Sequence, residues 1–286
     1  MIVFPNCKIN IGLSITGKRP DGYHNIESVM VPIGWHEALE VVERDAKSNF
    51  DSVAVLKAES GNARFFGYGT IIPGPPESNL CLKVFELLES WYNLPKTDIH
   101  LIKSLPIGAG LGGGSADAAF CLRALVDFYQ LTISDSEAKS LLSEVGSDCP
   151  FFWKNKAAFV FGTGTTERNI DIDLGGYWIC VIYPNIKVGT AEAYAGIKPK
   201  PPEVNLALLG DLPIETWKEC IHNDFEPSIF NKYPALKNIK QTLYNHGAIY
   251  ASLSGSGSAI YGIFDQKPNE IPEFREFRSW IGEMRD

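Results

Sequence analysis

Between residues 105 and 119 the chain reads Leu-Pro-Ile-Gly-Ala-Gly-Leu-Gly-Gly-Gly-Ser-Ala-Asp-Ala-Ala, and no other stretch narrows the fold as much. Its five glycines, Gly108, Gly110, Gly112, Gly113 and Gly114, allow positive φ and close backbone approach, so that several N–H groups can converge on one anion. Ser115 is placed to cap a helix, and Ala118, Ala119, Leu122, Leu125, Val126 and Tyr129 recur at helical spacing behind it. An anion held by the loop would sit at a helix N-terminus, where the macrodipole adds to the free N–H groups. The loop is not a Walker A motif, because Gly114 is followed by Ser115 and Ala116 and not by lysine. Nor does it fit a dinucleotide fingerprint: Ile99 and Leu101 suit the preceding strand, but no acidic residue ends a second strand at the required distance. Read alone, it is either a phosphate cradle or a glycine-rich turn before an ordinary helix.

A chain of 286 residues is long enough for two domains of ordinary size, and the loop-like run 164–176 places their boundary near residue 170. The net charge of −8, with no long basic run, argues against a general nucleic-acid or anionic-membrane binder. A phosphorylated ligand would then be held by backbone dipoles and a few cations. The six cysteines, at 7, 81, 121, 149, 180 and 220, are scattered without a Cys-x-x-Cys pair, and read as reduced, mostly buried thiols of a cytoplasmic protein. No apolar run approaches the ~18 residues of a membrane helix, and the N-terminus lacks the pattern of a secretory signal.

Taken in order, Ile2 to Ile15 reads as extended, with Ile9, Ile11, Leu13 and Ile15 on one face and Lys8 and Asn10 together on the other, which read alone is a solvated strand face. A turn-forming cluster, Gly17 to Gly22, leads to Tyr23 and His24, where an aromatic and an imidazole either meet a planar ligand or are ordinary loop residues. Ser28–Ile33, Ala38–Val42 and Ser52–Ala58 read as short antiparallel strands, and residues 60–77 as loop. Asn79 is placed to cap a helix whose stripe is Leu80, Val84, Leu87, Leu88 and Trp91, and Ser134 with Glu137 forms a capping box for another that stops at Gly146. Asp148, beside Cys149, Pro150, Phe151 and Phe152, is either a turn aspartate or a carboxylate in an apolar setting. A second glycine turn, Ser254 to Ser258, lies between two strands. Strands alternating with helices give an α+β sandwich.

Three stretches occurring in this order, Lys8-Ile9-Asn10, Leu105 to Ala119 and Ser252 to Phe264, resemble the motifs of the GHMP small-molecule kinases. Thr16 to His24, Gly112 to Ala119, Gly146 to Phe152 and Asn223-Asp224-Phe225-Glu226 extend the resemblance over nearly the whole chain, and within the family point to members whose acceptor carries a cytidine diphosphate. The resemblance implies a two-domain α+β fold: an N-terminal ATP-binding α/β domain, residues 1–170, and a C-terminal ferredoxin-like α+β domain, residues 171–286. It implies ATP and Mg²⁺ as cofactors, with Ser115 the one metal-ligand candidate. Asp148 would be the base and Lys8 its cationic partner. Asn79 and Lys103 fall where the family contacts adenosine, while Gly108, Gly110, Gly112, Gly113, Gly114 and Ser115 would cradle phosphate. The acceptor would be held by Asn10, Tyr23, His24, Thr190 and Tyr194, the two tyrosines stacking on the base and His24 bonding its edge. The partners are thus ATP and a small cytidyl diphosphate, with neither nucleic acid nor membrane, and the oligomeric state is left open. Competing readings are a GHMP kinase for mevalonate or a sugar, and a catalytically silent nucleotide-binding relative, against which the presence of both Lys8 and Asp148 speaks. Cys7, Ser147 and Cys149 depart from the commoner residues of the family. Since Cys149 adjoins Asp148, modification of its thiol is expected to inhibit by crowding the carboxylate.

Overall fold

Short β-branched strands alternating with amphipathic helices account for most of residues 1–45 and 53–284, which the computed structural model describes. In chain order these are β1 (Ile2–Val3), β2 (Asn6–Lys18), β3 (His24–His36), β4 (Ala38–Glu43), β5 (Leu56–Ser60), β6 (Ala63–Gly69), α1 (Leu80–Trp91) and β7 (Thr97–Lys103). Then come α2 (Gly113–Phe128), α3 (Asp135–Val145), α4 (Cys149–Lys154), β8 (Ala158–Gly162), β9 (Thr166–Asn169), β10 (Trp178–Tyr183) and α5 (Thr190–Ala195). The chain ends with α6 (Ile214–Cys220), α7 (Glu226–Lys232), α8 (Pro234–Asn245), β11 (Tyr250–Leu253), β12 (Ile260–Phe264) and β13 (Arg278–Glu283). No helix among the described residues is long and apolar enough to cross a membrane.

These elements form two compact units that are interleaved along the chain and not divided at one point near residue 170. The first comprises Met1–Cys7, His36–Ile107 and Gly113–Asn155, and the second comprises Lys8–Trp35, Gly108–Gly112 and the chain from Lys156 onward. Strand pairing is the reason. β8 lies antiparallel to β3, from Ile26 opposite Gly162 to Met30 opposite Ala158, so that residues 158–162 belong with the N-terminal strands of the second unit.

The first unit is a five-stranded sheet in the order β1-β4-β7-β6-β5 with helices packed on it. Its centre corrects the expected loop at 60–77, because Ala63–Gly69 is a strand running parallel to β7, Ala63 opposite Thr97 and Gly69 opposite Lys103. Parallel neighbours need a crossover, and α1 supplies it. The glycines masked this strand, yet Ala63, Phe65 and Phe66 are buried, and Gly69 (φ +80°) is where it ends, with no room for a Cβ against the Lys103 carbonyl. Of the strand expected at Ser52–Ala58, β5 begins at Leu56, and Ser52 lies outside the described residues.

The helices of this unit start largely as the capping rules require. The Asn79 side chain accepts from the Cys81 N–H at 2.9 Å, and the Ser134–Glu137 capping box is complete. In α1 the buried face is Cys81, Leu82, Val84, Phe85 and Leu88, rotated from the expected stripe, so that Trp91 is 47% exposed. α2 begins at Gly113, which places Ser115 inside the first turn instead of at the cap. Its buried small residues, Ala116, Ala118, Ala119 and Cys121, let it lie close to its neighbours.

The second unit holds two four-stranded sheets, β2-β3-β8-β9 and β11-β12-β10-β13. β9 falls within 164–176, expected as loop, and pairs with β8. The other sheet is antiparallel throughout and buries Leu236, Ile239 and Leu243 of α8, the α+β layering expected of the C-terminal half. Asn223-Asp224-Phe225-Glu226 ties this unit together. Asn223 donates to the carbonyls of Leu253 and Gly255 and accepts from the Phe225 N–H. Asp224 accepts from the Ile15 N–H, and Glu226 accepts from the Ser252 hydroxyl and the Leu253 N–H while pairing with Lys240 at 2.7 Å. Replacing Asn223 strands two buried carbonyls and one N–H, so Asn223→Ala should lower unfolding stability by about 3 kcal/mol in urea denaturation, with the loss distributed over the whole transition.

Candidate active site

In the second unit, the loop Gly108–Gly112 is fixed by its carbonyl groups. The Ala109 carbonyl accepts from the Ala259 N–H at 3.0 Å, and the Leu111 carbonyl from the Lys8 N–H at 3.0 Å. The Gly110 carbonyl takes the Lys8 ammonium at 3.0 Å and the Ser254 hydroxyl at 2.8 Å. In a trans peptide the N–H points opposite to the carbonyl. Three consecutive anchored carbonyls therefore turn the N–H groups of Gly110, Leu111 and Gly112 away from β2 and the second glycine turn. Gly108, Gly110 and Gly112 have φ of +67°, +77° and +70°, as such a loop requires. At Gly108 a Cβ would meet nothing within 4 Å, whereas at Gly110 it would lie 1.9 Å from the Ser254 carbonyl oxygen.

Lys8, on β2, is only 3% exposed and donates from Nζ to Asn10 Oδ1 at 2.5 Å as well as to the loop. Asn10 in turn donates to Ser28 Oγ at 2.9 Å. The face of β2 that alternation marked as solvated is buried, and its polar groups are consumed by this network. Tyr23 is 68% exposed on the turn closed by Arg19, whose backbone N–H donates to the Tyr23 carbonyl. His24 stacks on Tyr194, ring centroids 4.7 Å apart and planes 21° from parallel, and Phe225 meets Tyr194 edge-on. Thr190 is exposed at the first residue of α5, one turn before Tyr194.

In the first unit, Gly113, Gly114 and Ser115 form the opening turn of α2, whose N–H groups have no acceptor four residues back within the helix. Lys103, expected to contact adenosine, has its ammonium buried between Asp117 Oδ2 at 2.6 Å and Glu37 Oε2 at 2.9 Å. Burial, and then the charge of Asp117, push the Glu37 carboxyl up to about 8 in spite of Lys103. Burial works against the Lys103 ammonium, but the two carboxyl groups hold it above the ordinary lysine range. Asp117 Oδ1, on the far side of that carboxyl group from the ammonium, is buried without a hydrogen-bond partner.

Asp148 precedes α4 and is half-buried, and its side chain does not cap that helix. Its neighbour Cys149 and Ser115 both face Gly146, with Sγ and Oγ 3.1 and 4.0 Å from where its Cβ would lie, which brings the Asp148 segment beside the start of α2 within the same unit. Burial pushes the Cys149 thiol up to about 12, so it is a poor nucleophile and the expected route of inhibition through it is not supported. Asn79 caps α1 and is half-buried. Sequence reasoning missed Glu37, the meaning of Asp117, and Ser254. Asp117 stood inside the glycine motif, but nothing around Glu37 marked it.

The N-terminal domain model of the GHMP kinases matches residues 79–162, and the C-terminal model matches residues 207–278. The chain belongs to the GHMP kinases and is an ATP-dependent small-molecule kinase. It is 42% identical over 287 residues to the 4-diphosphocytidyl-2-C-methyl-D-erythritol kinase of Parabacteroides distasonis, covering 99% of this chain and 100% of that one. To the enzyme of the same name from Bacteroides fragilis it is 45% identical over 265 residues, 92% of each chain. A crystal structure of 4-(cytidine 5'-diphospho)-2C-methyl-D-erythritol kinase matches with a TM-score of 0.76 at 25% identity, covering 99% of this chain and 98% of that one. The Methanococcus jannaschii mevalonate kinase, with a TM-score of 0.66 and 15% identity over 100% and 98% of the two chains, shares the fold.

Two outcomes test this geometry. Gly110→Ala places a methyl group on the Ser254 carbonyl at a left-handed φ, and should abolish ATP binding in calorimetric titration even where folded protein is recovered. A disulfide exchange reagent should label Cys220, the one half-exposed thiol, in the native protein, and reach Cys149 only after unfolding.

Proposed function

We propose that this kinase transfers the γ-phosphoryl group of ATP to the 2-hydroxyl of 4-diphosphocytidyl-2-C-methyl-D-erythritol, a step of isoprenoid precursor biosynthesis. The name carried by relatives that align over nearly the full chain supports this acceptor. The observation that carries the phosphoryl chemistry is the row of three anchored carbonyls at 109–111, which leaves three successive N–H groups facing away from the protein donors that hold them. The open space beside Gly108 fits a phosphate group, and in the first unit the first turn of α2 offers N–H groups, with Ser115 the side chain there able to offer an oxygen to a metal ion. Mg²⁺, when bound with ATP, supplies neutralisation of charge on the phosphates.

In this reading Asp148 accepts the proton of the acceptor hydroxyl as the bond to phosphorus forms, and Lys8 supplies the positive charge that favours the developing alkoxide. The tertiary hydroxyl is a poor nucleophile, so its orientation by a carboxylate matters even where proton transfer is late. Lys8 is held for this role by the same carbonyl that shapes the loop, and Asn10 fixes its ammonium. The flat surface of Tyr194 and His24, with Tyr23 on the preceding turn, receives the cytosine, stacking giving apolar contact and the imidazole giving polar discrimination. Asn79 and the Lys103 backbone flank the adenosine, and Thr190 the acceptor.

Turnover of MgATP by purified protein, compared across 4-diphosphocytidyl-2-C-methyl-D-erythritol, mevalonate and galactose, tests the assignment. Turnover is expected with the cytidyl acceptor alone, and Asp148→Asn should lower kcat about 10²–10⁴-fold with ATP still bound. Equal or better turnover of mevalonate or galactose would overturn the acceptor, and an active Asp148→Asn would overturn the base.

A further inference from the structure

Glu37 lies between β3 and β4, in none of the motifs of the glycine loop, yet its carboxyl group holds the start of that loop directly and reaches its far end through Lys103. Oε1 accepts from the N–H of Leu105, where the loop begins, at 2.5 Å. Oε2 accepts from Lys103 Nζ at 2.9 Å, and the same ammonium reaches Asp117 Oδ2 at 2.6 Å on the second turn of α2. Lys103 Nζ is also within 3.3 Å of where a Cβ of Gly113, the first residue of α2, would lie. All three side chains are buried, so these bonds are made away from bulk solvent. We infer that Glu37, acting through Lys103 and Asp117, is a positioning residue for the phosphate loop, setting the distance and angle between the loop's entry and the start of α2 that ATP binding needs.

The chemistry of the carboxyl group makes the role specific. Two acceptor oxygens are required, one for a backbone N–H and one for an ammonium, and a residue with a single acceptor can serve only one end. Glutamine is nearly isosteric and offers one oxygen and one amide nitrogen. With its oxygen on Leu105 it turns an N–H₂ group toward the ammonium, and with its oxygen on Lys103 it leaves the Leu105 N–H buried and unpaired. Either way one end of the loop loses its anchor, while the sheet beneath keeps its apolar core.

This inference rests on the reading of the glycine loop as the ATP site, and its test needs no acceptor. Calorimetric titration of the full chain with MgATP should show Glu37→Gln binding roughly tenfold or more weakly than wild type, the loss of one charge-assisted bond. Circular dichroism and the melting curve should remain those of a folded protein. In turnover assays the KM for ATP should rise by the same factor, with kcat at saturating ATP and the KM for the acceptor within about twofold, a split that a merely structural role would not produce. A second variant, Glu37→Gln/Lys103→Met/Asp117→Leu, replaces the ion cluster by apolar volume while keeping an acceptor for Leu105, a kind of exchange that folded proteins often tolerate. It too should fold and bind ATP weakly. Wild-type affinity in either folded variant overturns the proposal, as does failure of both to fold, since the cluster would then determine the fold and not the loop. A wild-type protein that binds ATP but leaves the cytidyl acceptor unphosphorylated refutes the proposed acceptor and not this role for Glu37.

Discussion

A carbonyl oxygen of Ser254 stands 1.9 Å from where residue 110 would carry a β-carbon, and much of the second unit depends on that approach. It is possible only between two glycine turns, both with glycines at positive φ. From it follow the bond from the Ser254 hydroxyl to the Gly110 carbonyl, the anchoring of that carbonyl by Lys8, and the direction in which the loop's N–H groups point. The second turn does not hold this position unaided. Asn223 takes the carbonyls of Leu253 and Gly255 on either side of Ser254, and Glu226 takes the Leu253 N–H, so a motif far from the loop in sequence decides whether the loop is correctly shaped.

The first unit solves a related problem with charge. A buried ammonium is costly unless its partners are close and fully bonded. Lys103 meets that condition with two carboxyl groups, and burial together with the charge of Asp117 pushes the Glu37 carboxyl up to about 8 in spite of the ammonium. The ammonium thus offsets carboxylate charge beneath the first turn of α2. A net anion in the same place would oppose the macrodipole that makes a helix start attractive to phosphate.

Much of this was legible in the sequence. The glycine loop and the Asn79 and Ser134 caps each have a local cause, and each formed where local rules place it. What was not legible depended on partners distant in the chain. β6 was hidden by Gly67 and Gly69, since only its parallel pairing with β7 and the burial of Phe65 and Phe66 make a glycine-bearing segment a strand. Lys8 and Asn10 looked solvent-facing by alternation because the groups that bury them, Ser28, Gly110 and the Tyr261 hydroxyl on the Asn10 carbonyl, come from three other segments. Lys103 was recognisable as a residue of note, but that its ammonium is buried in an ion cluster turned on Glu37, 66 positions away.

A chain of net charge −8 that binds ATP might seem electrostatically ill-suited to its ligand. The range of each interaction resolves this. Net charge acts over distances at which salt already screens it, the Debye length being about 8 Å at physiological ionic strength. Backbone N–H groups act at hydrogen-bond contact, and at a helix start they act together. A loop held by its own carbonyls presents those N–H groups without further reorganisation, so binding does not have to bear the entropy of ordering them. The few cations need not attract the ligand: Lys103 is bonded to Glu37 and Asp117, and Lys8 is seated by Asn10 and the Gly110 carbonyl. An acidic surface and a polyanionic ligand are compatible when recognition is built from fixed dipoles and the cations are kept for geometry and chemistry.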